Sequence, residues 1–299
     1  MLDANSEPVI RVSNLKRRFR RAEALDGVSL EVPRGCVYGL VGENGAGKTT
    51  LIKHILGALK PQYGTVQVFG KDPVREAVAV LADIGYLSEG RDMPGWMTVR
   101  QLMRYTAAFY PKWDDAFAQQ LLSDFELDPG QKVRHLSRGK RALAGLLIAL
   151  AHRPELLVLD EPSAGLDPIV RKDILGAIVR TVADEGRTVF FSSHLLDEIE
   201  RVSDYVTVLS KGRVVVSERL DALKDGHSRL VIRFDTALDR APDLPGAIRV
   251  TGAANEWTVL CNGRRDEVVA AAQAINGTLV EEGPAPFDDI FIAYARARK

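Results

Sequence analysis

Cysteine is scarce in this sequence, with only Cys36 and Cys261 present. The two lie far apart and match no metal-ligand spacing, which predicts a reducing compartment rather than a disulfide framework. An excess of charge of one sign is also missing. Lys plus Arg number 40 and Asp plus Glu number 40, so no bulk field recruits nucleic acid or anionic lipid. Long apolar runs are absent too. The most apolar stretch, Ala142 to Ala151, makes one core helix, whereas a membrane span needs roughly 20 apolar residues. The first residues carry no charged-then-apolar export signal. There is no internal repeat, low-complexity tract or sustained heptad series. Together these absences predict a cytoplasmic chain that does not cross a membrane by itself.

What is present is a globular mix, 46% apolar and 27% charged over 299 residues, enough for one large domain and a smaller one. Apolar runs of strand type alternate with helical periodicity: Cys36 to Val41, Leu156 to Leu159, Thr188 to Ser192 and Tyr205 to Leu209, with helices from Lys48, near Ile169 to Glu185 and at Leu195 to Val202. That alternation predicts an α/β fold with a mainly parallel sheet. Residues from about 90 to 152 interrupt it with a helical block. There Thr98 caps a helix reaching Tyr110, a second helix fits Asp114 to Phe125, and Ser137 caps a third running to His152. Val9 to Val12 and Leu25 to Val32 read as short strands around a basic turn, Lys16 to Arg21. Without aromatic interleaving, that turn is a solvated hairpin rim rather than a nucleic-acid site. The boundaries expected are 7–220 for the large domain and 221–299 for a small C-terminal α+β domain. In the latter, Leu230 to Phe234, Trp257 to Cys261 and Thr278 to Val280 are strands, and Asp266 to Ile275 and Phe287 to Arg296 are helices.

The chemistry is concentrated at the ends of three strands. Gly42-Glu43-Asn44-Gly45-Ala46-Gly47-Lys48-Thr49 joins a strand to a helix. Several backbone N–H groups must reach phosphate oxygens at once, which glycine allows, and the helix aims its positive end at the same anions. Lys48 then supplies charge to the β- and γ-phosphates, and the Thr49 hydroxyl suits Mg²⁺. A chance glycine-rich turn would lack the flanking strand and helix. Asp160 and Glu161 end the next buried strand, at the edge where open α/β sheets bind ligands. Asp160 is placed for the Mg²⁺ shell and Glu161 for the attacking water as general base. Standing alone, the pair would be an acidic helix cap. His194 ends a third strand there, in a phosphate-sensing position.

In this order the motifs resemble the nucleotide-binding subunits of ATP-binding-cassette (ABC) transporters, over about residues 7 to 220. The resemblance implies a P-loop NTPase with an antiparallel β subdomain and a helical subdomain beside the parallel sheet. It implies ATP and Mg²⁺ as cofactors. Gly42 to Thr49, with Thr50, match Walker A, and Leu156 to Glu161 match Walker B with its catalytic glutamate. Phe19 stands where the family stacks an aromatic ring on adenine. Ser163 to Asp167 resemble the D-loop and His194 the switch histidine. Ser137, Gly139 and Asp167 are implied to contact ATP held by a second subunit, in a homodimer or heterodimer. The other implied partner is a separately encoded transmembrane permease, which would hold the chain on the cytoplasmic face of the membrane.

Two positions depart from the family pattern. Leu136-Ser137-Arg138-Gly139-Lys140 stands for Leu-Ser-Gly-Gly-Gln, so Arg138 and Lys140 add charge where the second nucleotide would lie, and Arg138 adds bulk. Glu89 replaces a glutamine that touches Mg²⁺ and water. Glu89 and the appended C-terminal domain resemble the exporter-type branch. Met93 to Met97 either forms a groove for a helix of the permease or packs within the helical block. A soluble cassette protein would usually carry two cassettes or long coiled coils, and a regulator without turnover would not need Lys48, Asp160, Glu161 and His194. A small-molecule kinase or GTPase would share only the glycine-rich loop.

Overall fold

In the computed structural model, which describes residues 7–20, 22–90, 92–183 and 186–296, Ile10, Val12 and Leu15 anchor a first, antiparallel sheet. Strand β1 (Ile10–Phe19) pairs with β2 (Ala22–Val32) from Ile10↔Val32 to Phe19↔Ala22, and an irregularity between Val12 and Leu15 keeps Leu15 facing the core. The strands are therefore longer than the short runs expected around a basic turn. Lys16, Arg17 and Arg18 lie within β1, and Arg21 falls outside the described residues. Cross-strand partners keep this charged backbone extended: Lys16 Nζ lies 2.9 Å from Asp26 Oδ1, and Gln62 Oε1 accepts from the Arg18 N–H at 2.7 Å.

The order continues with β3 (Val37–Val41), α1 (Lys48–Ile55), β4 (Tyr63–Val68), α2 (Ala77–Leu81) and β5 (Ile84–Leu87). Strand β4 takes the free edge of β1. Next come α3 (Val99–Ala107), α4 (Asp115–Asp124) and α5 (Arg138–Leu150), then β6 (Leu156–Asp160), α6 (Pro168–Ala183) and β7 (Thr188–Ser193). Then follow α7 (Leu196–Val202), β8 (Tyr205–Ser210) and β9 (Arg213–Arg219). Six strands form the second sheet in the order β5-β6-β7-β3-β8-β9, and the four pairings from β5 to β8 are parallel. Every residue of β3, β6 and β7 is buried, which is why these strands read as unbroken apolar runs.

The first and third helices of the block start on their expected caps, and Asp114, expected as the first residue of the second, is its cap. Thr98 forms a reciprocal capping box with Gln101, Asp114 accepts from the Phe117 N–H at 2.9 Å, and Ser137 accepts from the Lys140 N–H at 3.2 Å. The C-terminal ends are shorter than expected: α3 stops at Ala107 and α5 at Leu150. Helix α6 ends at Ala183, and the expected end at Glu185 lies outside the described residues.

Close packing of α5 on β5 makes a test of the frame. A Cβ on Gly85 would stand 2.1 Å from the Ala149 carbonyl oxygen. Gly85→Ala is expected to cost about 2–3 kcal/mol, because backbone rather than a flexible side chain must yield. Denaturant unfolding of the purified chain checks this through a lower midpoint at unchanged slope.

Contacts separate two compact units, Met1–Ser217 and Glu218–Lys299. The smaller one holds α8 (Leu220–Asp225), β10 (His227–Leu238), β11 (Ala247–Asn262), α9 (Arg265–Gln273), β12 (Gly277–Pro284) and α10 (Phe287–Arg296), with the antiparallel order β11-β10-β12. Leu230, Ile232, Phe234, Val259, Cys261 and Val268 fill its core. Strand β11 begins far ahead of the expected Trp257, since residues 251–256 are exposed and carry no apolar alternation. Phe287 and Ile290 of α10 are buried, and the Tyr294 hydroxyl bonds His227 Nε2 at 3.0 Å. Both cysteines are fully buried, Cys36 in the large unit and Cys261 in the small one. Among the described residues, no helix is long and apolar enough to cross a membrane.

Candidate functional site

The loop between β3 and α1 owes its path to two kinds of glycine. Gly47 has φ 111°, and a Cβ there would meet the Ala24 carbonyl at 2.5 Å; one on Gly42 would meet the Leu209 carbonyl at 2.4 Å. The protein's own backbone therefore demands these two. Gly45, at φ 82°, has no protein atom within 4 Å of such a Cβ, so it is held to glycine by backbone conformation and by whatever the loop cradles. The N-terminus of α1 has no side-chain cap and no acid in its first turn, which leaves its N–H groups and positive end for an anion. A cavity of about 320 Å³ opens there, lined by Ala24, Asn44, Gly45, Gly47, Lys48, Thr49, Thr50, Glu89 and Glu161. Glu89, from the segment after β5, is thus brought to the glycine loop.

Glu161 joins the parts. It follows β6 in a left-handed conformation, φ 49°, and its N–H donates to the Ser192 carbonyl at 3.2 Å and hydroxyl at 3.0 Å. Its buried carboxylate is shared between two cationic or donor groups. Oε1 lies 3.1 Å from Lys48 Nζ, an ion pair off the line of a hydrogen bond, and Oε2 accepts from His194 Nδ1 at 2.6 Å. A carboxylate only accepts, so Nδ1 carries the hydrogen. Lys48 also donates to the Gly42 carbonyl at 2.6 Å. Asp160 sits in register with Ser192 on β7, whose hydroxyl donates to Oδ1 at 2.7 Å. On β5, burial, with the Asp160 and Asp92 charges, pushes the Tyr86 phenol up to about 12, so it stays a neutral donor at physiological pH.

The other expected residues lie outside the lining of this cavity. Glu43 and Ala46 belong to the loop, where the Ala46 N–H donates to the Glu43 carbonyl at 3.0 Å. Phe19, 41% exposed at the end of β1, carries the Arg17 guanidinium 4.5 Å above its ring. Ser137 caps α5, and Asp167 caps α6 by accepting from Ile169 and Val170 N–H at 3.0 and 3.1 Å. Both added cations are engaged inside the chain. Arg138 Nη1 donates to the Gly165 carbonyl at 3.3 Å, while Lys140 Nζ donates to Phe125 and Glu126 carbonyls at 2.8 and 3.0 Å, at the C-terminal end of α4. Gly139 is required by packing, since a Cβ would stand 2.8 Å from Val170 Cγ2.

Two residues were not foreseen. Ser192 organises the Asp160–Glu161 turn, and Glu198 is a buried carboxylate bonded to Ser163 and Ser193. A Ser-Ser pair ending a wholly buried strand was the available signal for the first. Glu198 is four residues beyond His194, a spacing that shows nothing until α7 is placed.

Residues 25–164 match the family described as ABC transporter. The chain is 36% identical over 250 residues to the daunorubicin resistance ATP-binding protein DrrA3 of Streptomyces coeruleorubidus, covering 81% of this chain and 78% of that one. It is 28% identical over 285 residues to the ABC transporter ATP-binding protein YtrB of Bacillus subtilis (strain 168), with 95% and 97% covered. Among solved structures, an ATP-binding subunit of an ABC transporter superposes with a TM-score of 0.67 at 28% identity, covering 73% of this chain and 92% of that one.

Proposed function

This chain belongs to the ABC transporter family as an ATP-hydrolysing subunit, and from that premise we propose that it powers export through a separately encoded membrane permease. The observation that carries the site reading is the Glu161 carboxylate bridging Lys48 at 3.1 Å and His194 at 2.6 Å beside the glycine loop. Lys48 and the N–H groups of the loop bind the phosphates. Glu161 takes the proton of the attacking water, and His194 orients that carboxylate and senses the γ-phosphate. Phe19 stacks on adenine.

Mg²⁺ fits the donor set. Thr49 and Glu89 line the cavity and Asp160 ends the adjoining strand, all hard oxygen donors. Mg²⁺ characteristically takes one or two carboxylates with the phosphates rather than a full protein cage. When bound, it neutralises charge on the phosphates. Two copies close on two nucleotides, with Ser137, Gly139 and Asp167 of each facing the ATP of the other. Since Arg138 and Lys140 serve intrachain carbonyls, the Ser137 hydroxyl and the α5 N-terminus carry that contact.

The permease docks on the helical block at the cytoplasmic face of the membrane. Met93 and Met97 pack into the block with Leu102 and Val133, whereas Trp96 stands 66% exposed and Tyr105 and Phe109 are exposed together. Exposed aromatics of this size suit a partner's helix. The resistance function in the name of DrrA3 supports the outward direction. Fractionation tests this reading: the chain is expected with membranes only when a polytopic partner is co-expressed, and to purify with it. Equal membrane binding without any partner would sink it.

A further inference from the structure

Glu198 is a buried charge that the steps above leave unused. It lies in the first turn of α7 and is 1% exposed. Donors from three separate segments converge on it. The Ser163 hydroxyl lies 2.6 and 2.7 Å from its two oxygens, the Ser193 hydroxyl lies 2.9 Å from Oε2, and Arg171 Nε of α6 is 3.2 Å from Oε1. Packing alone does not require an ion here, because a buried carboxylate must be compensated by donors and countercharge merely to break even. What an acceptor-only group adds is geometry: both hydroxyls must point their hydrogens at it.

The positions of those hydroxyls matter. Ser163 is two residues beyond Glu161 and opens the segment that ends in the Asp167 cap. Ser193 immediately precedes His194, and its oxygen also accepts from the Leu195 N–H at 3.0 Å, which fixes the backbone on the far side of the histidine. Glu161 and His194 thus face each other across 2.6 Å while their flanking residues are held by one carboxylate. We propose that Glu198 is a positioning residue for hydrolysis, which sets the separation of Glu161 and His194 and ties it to the placement of segment 163–167. The inference rests on the reading of Glu161 and His194 as the groups acting on ATP.

Steady-state hydrolysis by Glu198→Gln, with ATP-binding stoichiometry measured in parallel, tests it. The amide must present an N–H on one side and drops the charge facing Arg171. A kcat at least fivefold lower is expected, with KM and stoichiometry within twofold of the unaltered chain. Ser163→Ala, which removes one hydroxyl and decides the matter if Glu198→Gln does not fold, is expected to lower kcat in the same way. The double variant is expected to be no worse than the weaker single one, because both remove the same contact. Unaltered kcat in both single variants, additive losses, or a kcat that falls only in step with binding stoichiometry would each overturn the positioning role. Turnover persisting in Glu161→Gln would instead overturn the underlying site reading. If Glu161→Gln is inactive while Glu198→Gln behaves as the unaltered chain, only the present inference is lost.

Discussion

Glu161→Gln is expected to bind ATP with nearly unaltered affinity and to hydrolyse it at least a hundredfold more slowly. The substitution keeps the size of the side chain, and Lys48 keeps its 2.6 Å bond to the Gly42 carbonyl, so the phosphate cradle stands. What disappears is a group able to take a proton from water, an effect worth about 10²–10⁴ in rate. The His194 Nδ1 hydrogen, aimed at Oε2 across 2.6 Å, can still meet an amide oxygen, which holds the local geometry. Closure without hydrolysis also predicts an ATP-dependent dimer on size-exclusion chromatography. Phosphate release measured at saturating ATP checks the rate, and undiminished turnover would remove Glu161 from the chemistry.

Lys48→Ala is expected to weaken ATP binding by about ten- to a hundredfold, since a charge-assisted contact to phosphate contributes about 1.5–3 kcal/mol and each 1.4 kcal/mol is tenfold. A second effect follows from the resting geometry. Lys48 is the cation 3.1 Å from the buried Glu161 carboxylate, so its removal leaves a charge less compensated. The variant should therefore also melt at a lower temperature. Adding Glu161→Gln should restore part of that loss without restoring ATP binding, because a neutral amide needs no countercharge. Titration with a fluorescent ATP analogue and thermal unfolding of the single and double variants separate the two effects. ATP binding unaltered in Lys48→Ala would contradict the cradle itself.

Much of this site could be read along the chain because its parts are local. A glycine loop, a lysine at a helix start and a pair of acids after an apolar run each occupy a few consecutive residues, and the parallel order of β6, β7 and β3 brings them to one edge. Capped helix starts were legible for the same reason, at Thr98 and Ser137. Helix ends were not, because α3 and α5 stop without a distinctive residue. The charged reach of β1 was hidden by its partners, since Asp26 and Gln62 become neighbours only after pairing. Arg138 and Lys140 looked like charges for a nucleotide. Within the chain their acceptors are carbonyls 27 residues away for Arg138, at Gly165, and 15 and 14 away for Lys140, at Phe125 and Glu126, which no local pattern reports. Gly139 carries a related lesson. Its glycine fits the family motif, yet contact with Val170 would keep it regardless of any second subunit.

The two buried thiols make the chain a convenient chemical background. Cys36 and Cys261 are both fully covered, and burial pushes the Cys261 thiol up, away from the reactive thiolate. Alkylating probes at neutral pH should therefore spare the native protein and reach a cysteine introduced at the exposed Ser123 of α4, which has no part in the nucleotide site. Spin labels or fluorophores attached there would report the distance between two copies as ATP is added and consumed, with no need to strip the native cysteines first.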